Sequence, residues 1–246
     1  MKQLFTLLLI ASVGYCSAQK MEVFVKPESA ELYVQSVKSG NNKKLNLKTA
    51  SMGVLAVAPD HVTEGRTFSE LAKLGTETFT FELKKTSPLP AGYTSKKLEL
   101  AQITDATGFV EKPARNGLYG IHLAATELNS AQFTTGLATT AADFGYTIDG
   151  SGGMFADKDA GATSDFAIGG NLIQWSKETA GDGYQVSLIV EWSVYSFAEK
   201  KVVMKMEGAG FSNAGLTNYN QSLVITMQDA MKALLNSAEF QALVKS

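Results

Sequence analysis

Apolar side chains occupy alternate positions along residues 184–195, and this regularity restricts the fold more than any other part of the chain. The alternating residues are Val186, Leu188, Val190, Trp192 and Val194, with Ile189 as an exception on the otherwise polar face. Because neighbouring side chains of a strand point to opposite faces, this pattern predicts a strand with one buried face. Residues 216–235 instead repeat apolar side chains at helical spacing, which predicts an amphipathic helix. Together, the two patterns predict a sheet with a helix packed on one of its faces.

The same kind of pattern extends over residues 117–246. Strands are predicted at residues 118–123, 146–148, 166–175, 184–195 and 201–207. A helix after the first strand is predicted to begin at Asn129 or Ser130, whose side-chain oxygens can accept a free backbone N–H. Gly145 is predicted to end that helix, since glycine adopts positive φ at little cost. The order β-α-β-β-β-β-α predicts a mixed sheet covered by two helices, with a last short helix capped by Ser237.

Four segments of this part resemble a known family. Phe144-Gly145-Tyr146 is similar to a glycine–aromatic step into a second strand, and residues 164–170 are similar to an Ala-Asp-apolar-apolar-Gly strand. Residues 195–203 are similar to a strand and turn with a Lys-Val-Val return, and residues 229–235 to a terminal helix. The ordered set resembles the small α/β domain shared by the TolB amino-terminal domain, the curli secretion channel and lipoprotein activators of cell-wall synthases. The resemblance implies scaffolding, docking or assembly in the bacterial envelope without catalysis.

Residues 19–105 contain several short strand patterns separated by turn residues, which predicts a small antiparallel β sandwich. Pro27-Glu28-Ser29-Ala30, followed by Leu32-Tyr33-Val34, resembles the PEGA module, a small extracytoplasmic β domain. Ser29 stands where that module has glycine. Residues 106–116 are expected to link this domain to the α/β domain at 117–246. The predicted fold class is α+β.

The first 18 residues have the features of a secretory signal peptide. Lys2 precedes an apolar run, and Cys16-Ser17-Ala18 supplies the small residues of a cleavage site, so Gln19 is the expected new terminus. A lipid anchor on Cys16 is the alternative, which Tyr15 disfavours because a small residue should precede a lipidated cysteine. The expected location is the periplasm or the outer membrane of a bacterium.

Charge and cysteine usage narrow the function classes further. The chain has 22 Lys and Arg against 24 Asp and Glu, a net charge of −2, which argues against nucleic-acid binding. Cys16 is the one cysteine, so the processed chain is expected to form no disulfide and to use no thiol chemistry. No segment after the signal peptide is long and apolar enough to predict a transmembrane helix.

Candidate chemistry is sparse. His61 and His122 lie in different predicted domains without a second ligand at metal spacing. The loop beginning at Asp157 departs from calcium-loop spacing, and the glycines around Ser151 form no nucleophile elbow. Glu191 is adjacent to Trp192, but strand neighbours point to opposite faces, so the two do not form one sugar site. We therefore expect no catalytic residue, no cofactor and no metal ion.

The function that this sequence favours is noncatalytic work in the cell envelope through protein contacts. A binding module for surface glycan or peptidoglycan, and an exported enzyme of unknown type, are the alternatives. Trp192, Tyr195 and Phe197 are the candidate partner-contact residues, because aromatic side chains favour interfaces. Alternation places Trp192 on one face and the other two on the opposite face, so we expect at least one of them to be exposed. Envelope proteins are the expected partners, and self-association remains open.

Overall fold

The computed structural model describes residues 20–48, 52–90, 92–105, 130–149, 164–213 and 218–245. The predicted signal peptide, the linker at 106–116, the strand predicted at 118–123 and the loop at 157–161 lie outside the described residues. The remainder is an α+β fold, as predicted, with three sheets that consist mostly of antiparallel strands.

Residues 20–82, here called the β module, form seven strands and one short helix. The strands are β1 (Lys20–Lys26), β2 (Glu31–Val34), β3 (Val37–Gly40), β4 (Asn42–Asn46), β5 (Gly53–Val57), β6 (Glu64–Thr67) and β7 (Thr78–Glu82). They form two sheets, ordered β4-β1-β7 and β3-β2-β5-β6. Met21, Val23, Leu32 and Phe81 are buried in the core that the two sheets share. The module is thus a sandwich, as predicted.

One pairing departs from the predicted antiparallel arrangement. β7 runs parallel to β1, with Val23 opposite Phe79. Parallel neighbours need a crossover connection, and helix α1 (Phe68–Lys73) lies in the stretch of chain before β7. Sequence inspection overlooked this helix. Its signal is Thr67 followed three residues later by Glu70, which cap each other's backbone N–H groups.

The C-terminal sheet has the order β12-β11-β10-β8-β9. Its strands are β8 (Leu98–Asp105), β9 (Ile148–Asp149), β10 (Phe166–Ala180), β11 (Gly183–Ser196) and β12 (Lys201–Ser212). β10, β11 and β12 are joined by the two turns that the sequence predicts, and they pair in antiparallel fashion. The two long hairpins therefore form most of this sheet.

β8 corrects the expected division of the chain at residue 105. The sequence placed residues 97–100 in the N-terminal domain, whereas β8 pairs in parallel with β10, with Leu98 opposite Phe166. Leu98 is fully buried in the core of the C-terminal part. A short strand pattern predicts extended backbone but does not specify its partner strand, which depends on the tertiary fold.

Three helices cover one face of the C-terminal sheet. They are α2 (Ala131–Asp143), α3 (Tyr219–Leu235) and α4 (Ala238–Val244). Gly145 has φ 87° directly after α2, as predicted. Ser130 is the N-cap of α2, but its side chain makes no capping hydrogen bond, contrary to expectation. Ser237 caps α4 as predicted, since its side chain accepts from the backbone N–H of Phe240.

Candidate functional site

Trp192 lies in the core between the C-terminal sheet and α3, with 1% of its surface exposed. Its indole Nε1–H donates to the backbone carbonyl of Ala230 at 3.1 Å. Glycines of β12 bring the helix this close, because a Cβ on Gly208 would lie 2.4 Å from the same carbonyl oxygen. The predicted burial of the Trp192 face is therefore correct, and Trp192 is placed to stabilise the fold rather than to touch a partner.

The β module packs on part of the opposite face of the C-terminal sheet. We call this contact the seam. Its apolar part consists of Tyr33, Leu55, Ile189, Ala209 and Phe211. The rings of Tyr33 and Phe211 pack with centroids 4.1 Å apart. Ile189, the exception to the alternation of β11, is fully buried here, and this one apolar residue on a polar face was the sequence signal for a second covered face.

Polar groups also join the two parts across the seam. The Ser36 hydroxyl lies 2.7 Å from the Ser176 hydroxyl and 2.9 Å from the Ser187 hydroxyl. Ser36 sits in a turn with φ 63°, which points its short side chain into the sheet. The Thr63 hydroxyl donates to the Asp229 carboxylate of α3 at 2.6 Å. Because buried polar groups are costly without partners, these bonds fix the position of the module. No sequence motif identifies them.

The part of this face beyond the seam carries the other two predicted contact residues. Tyr195 and Phe197 are half-buried, so none of the three candidates is as exposed as expected. Their rings meet edge to face with centroids 5.5 Å apart. Val202 lies opposite Tyr195 on β12 and is 45% exposed. We call Tyr195, Phe197 and Val202 the contact patch. The structure thus brings two of the three candidate residues together and separates Trp192 from them.

Ion pairs surround the contact patch. The Lys205 ammonium donates to Glu191 at 2.7 Å, and Lys201 pairs with Glu199 at 2.9 Å. All four side chains keep about a third or more of their surface exposed, so each pair contributes little to stability. An apolar centre with a rim of both charge signs is the usual composition of a protein-contact surface.

A groove of about 380 Å³ opens at the seam. Its lining includes Glu64, Arg66, Lys84, Lys85, Glu207 and Asn236. Burial, together with the neighbouring Glu70 carboxylate that can accept its proton, raises the pKa of Glu207 to about 7. The pKa of Glu64 is also raised, chiefly by burial. Both carboxyl groups of the groove therefore hold their protons more strongly than exposed carboxyl groups do.

The described residues bear on three expectations from the sequence, which concern the histidines, metal binding and membrane-spanning helices. His61 directs its Nδ1 to the Pro59 carbonyl at 2.7 Å, and His122 lies outside the described residues. Within the described ranges, no group of three or more His, Cys, Asp or Glu side chains is placed to hold a metal ion. No helix in those ranges is long and apolar enough to cross a membrane.

Comparison with known proteins yields distant structural neighbours. No family model matches this chain, and no curated protein does. Protein XCC0632 from Xanthomonas campestris, of the DUF330 family, has a TM-score of 0.37 at 12% identity, over 65% of this chain and 90% of that one. The PelC dodecamer from Paraburkholderia phytofirmans has a TM-score of 0.33 at 12% identity, over 66% and 96%. Lipoprotein GNA1162 from Neisseria meningitidis has a TM-score of 0.29 at 12% identity, over 58% and 99%.

These neighbours are bacterial proteins, and one of them is a lipoprotein. At such low TM-scores, the likeness carries no argument about function. The order α2-β9-β10-β11-β12-α3 in this chain matches the order that the resemblance implies after its first strand.

Proposed function

We propose that this protein is a noncatalytic component of the bacterial cell envelope that binds another envelope protein through the contact patch. The observation that supports this proposal most is the unequal cover of the C-terminal sheet. Helices bury one face, the β module covers part of the other, and the aromatic pair Tyr195–Phe197 lies beyond that cover. Aromatic side chains that are only half-buried in the isolated chain keep apolar surface that a partner can bury.

The contact patch suits a protein partner better than a charged ligand. Its charged neighbours Glu191, Lys205, Glu199 and Lys201 already neutralise one another in pairs. A partner with an apolar centre and a mixed polar rim complements this surface, and its aromatic anchors would carry most of the affinity. The signal-peptide features of the first 18 residues support a location outside the cytoplasm.

Site-specific crosslinking in the exporting cell tests the proposal. A photoreactive residue at Val202 is expected to crosslink one envelope protein, which mass spectrometry of the joined peptides identifies. Val37 is the matched control, because this valine of β3 is 49% exposed but belongs to the β module. The Tyr195→Ser variant should abolish the crosslink from position 202 while the protein stays folded.

Three results would contradict the proposal. Equal crosslinking from positions 37 and 202 would show that the contact patch has no special role. A crosslink from position 202 to a second copy of this chain would make the patch a self-association surface. Retention of the purified protein on peptidoglycan, lost in Tyr195→Ser, would make it a glycan-binding surface.

A further inference from the structure

A second cavity, of about 550 Å³, opens where the β module, the C-terminal sheet and the end of α2 meet. Its size falls within the range of about 300–1,000 Å³ that is usual for small-molecule sites. Three buried aromatic side chains line it, and each comes from a different part of the fold: Tyr33 from β2, Phe144 from the end of α2 and Phe211 from β12. We call this space the aromatic cavity. The residues of the contact patch are not among its lining.

The charged side chains that line the aromatic cavity are mainly acidic. Among the described residues they are Glu31, Asp60 and Asp229, with Lys232 as the one lysine. Two of these acids already have a cation as partner. Glu31 forms an ion pair with Lys38 of β3, and Asp229 accepts from the Lys232 ammonium at 3.1 Å. The negative charge that remains at this cavity therefore belongs to Asp60.

Asp60 lies exposed in the turn between β5 and β6. In the part of the chain that the structure describes, its carboxylate has no ion-pair or hydrogen-bond partner. The turn itself is held in place, because the Asp60 carbonyl accepts from the Thr86 backbone N–H at 2.9 Å and from the Thr86 hydroxyl at 3.1 Å. The fold thus keeps this carboxylate at the rim of the cavity and leaves its charge for a ligand.

His61 adds a second acceptor to the same rim. Its Nδ1 lies 2.7 Å from the Pro59 carbonyl oxygen, which can only accept, so Nδ1 carries the hydrogen. The Nε2 atom of this tautomer of the neutral ring is then an acceptor. A carboxylate and a ring nitrogen at one rim require a ligand that brings hydrogen-bond donors and positive charge.

We propose that the aromatic cavity binds a small organic cation, namely an ammonium compound with an apolar body. The aromatic lining suits both parts of such a molecule, because it buries apolar surface and its ring faces attract cations. Asp60 supplies the opposite charge and His61 an acceptor for the ammonium hydrogens. A carboxylate ligand would instead be repelled by the unpaired Asp60 charge. This inference does not depend on the proposed contact patch.

NMR titration of the isotope-labelled full chain with three related compounds tests the proposal. Phenethylamine is the probe, because it is an aromatic ammonium compound at neutral pH. Phenylethanol and phenylacetate are the controls, since they have nearly the same shape but no charge and a negative charge. Phenethylamine should bind in the millimolar range, phenylethanol about fivefold more weakly, as expected for the loss of an exposed charge pair, and phenylacetate not at all. The amide signals that shift should be those of residues 57–63, Phe144 and Phe211.

Asp60→Asn is the decisive variant. Asp60 has φ 58°, and asparagine is among the residues that tolerate this left-handed conformation best, so the turn is kept. The variant should bind phenethylamine about fivefold more weakly and phenylethanol as the wild type does. Asp182→Asn is the matched control, because Asp182 is exposed in the turn between β10 and β11, outside the cavity lining, and it should bind as the wild type.

Three results would overturn the proposal. Equal affinity for phenethylamine and phenylethanol would show that the cavity does not recognise positive charge. Unchanged affinity of Asp60→Asn for phenethylamine, or an equal loss in Asp182→Asn, would remove the role of the Asp60 carboxylate. Signal shifts confined to residues outside the cavity lining would place the probe elsewhere on the protein.

Discussion

Gly210 of β12 lies so close to α3 that a Cβ on it would be 1.9 Å from the Thr226 carbonyl oxygen. Backbone atoms of a packed helix cannot retreat like the end of a side chain, so a methyl group here must push the helix from the sheet. We expect Gly210→Ala to destabilise the protein by at least about 2 kcal/mol, the middle of the range for overpacked cores. Urea unfolding followed by circular dichroism measures this loss.

Gly136 of α2 is the matched control for Gly210. A Cβ on Gly136 would meet a methyl group of Val224 at 2.9 Å, and that side chain can shift. Alanine also has the higher helix propensity, by about 1 kcal/mol. Gly136→Ala should therefore cost clearly less than Gly210→Ala, and equal losses would mean that the close approach of β12 to α3 does not limit the packing.

Leu234 is fully buried on the inner face of α3, where the helical spacing of the sequence placed it. Leu234→Ala should destabilise the protein by roughly 2–5 kcal/mol, because it removes buried apolar surface and leaves a cavity. Ile225 of the same helix is 38% exposed, so Ile225→Ala should cost much less. Thermal unfolding of the two variants checks this difference. An unchanged melting temperature for Leu234→Ala would show that α3 is not packed on the sheet.

The packed, mutually tilted rings of Tyr33 and Phe211 predict an energetic coupling across the seam. In a double-mutant cycle with Tyr33→Leu and Phe211→Leu, the coupling energy should be about 1 kcal/mol in favour of the native pair. The same cycle with Tyr33→Leu and Phe240→Leu is the control, since Phe240 belongs to the other core and its effect should be additive. A coupling of zero for Tyr33 and Phe211 would mean that the β module does not rest on the sheet in solution.

Glu207 should titrate near neutral pH, and carbon-13 NMR of its side-chain carboxyl measures this directly. Burial and the hydrogen bond with Glu70 raise its pKa from 4.5 to about 7. The folded form thus binds this proton more tightly than the unfolded chain. The stabilisation it brings is complete below the unfolded value and is lost as the pH rises through about 7. Glu70→Gln should lower the midpoint, because it removes a neighbouring negative charge. A midpoint near 4.5 in the wild type would contradict this assignment.

Local sequence patterns predicted the elements whose cause is itself local. The side chains of β11 alternate because a strand has a period of two, and Trp192 is buried where that period places it. Leu223, Met227 and Leu234 share the buried face of α3 because a helix repeats every three or four residues. Gly145 ends α2 with positive φ because it lacks a Cβ. Helix α1 was missed, although Thr67 and Glu70 carried its signal.

The sequence by itself thus determined that β11 is a strand and α3 a helix, and which face of each is buried. Only the tertiary structure decided that β8 pairs with β10, that the β module packs on one face of the C-terminal sheet, and that Ser36 meets Ser187. Those contacts join residues far apart in the chain, such as Ser36 and Ser187 or Tyr33 and Phe211. Nothing in the local pattern around either partner encodes such a pairing, because the pairing follows from the burial of surfaces that only the assembled fold creates.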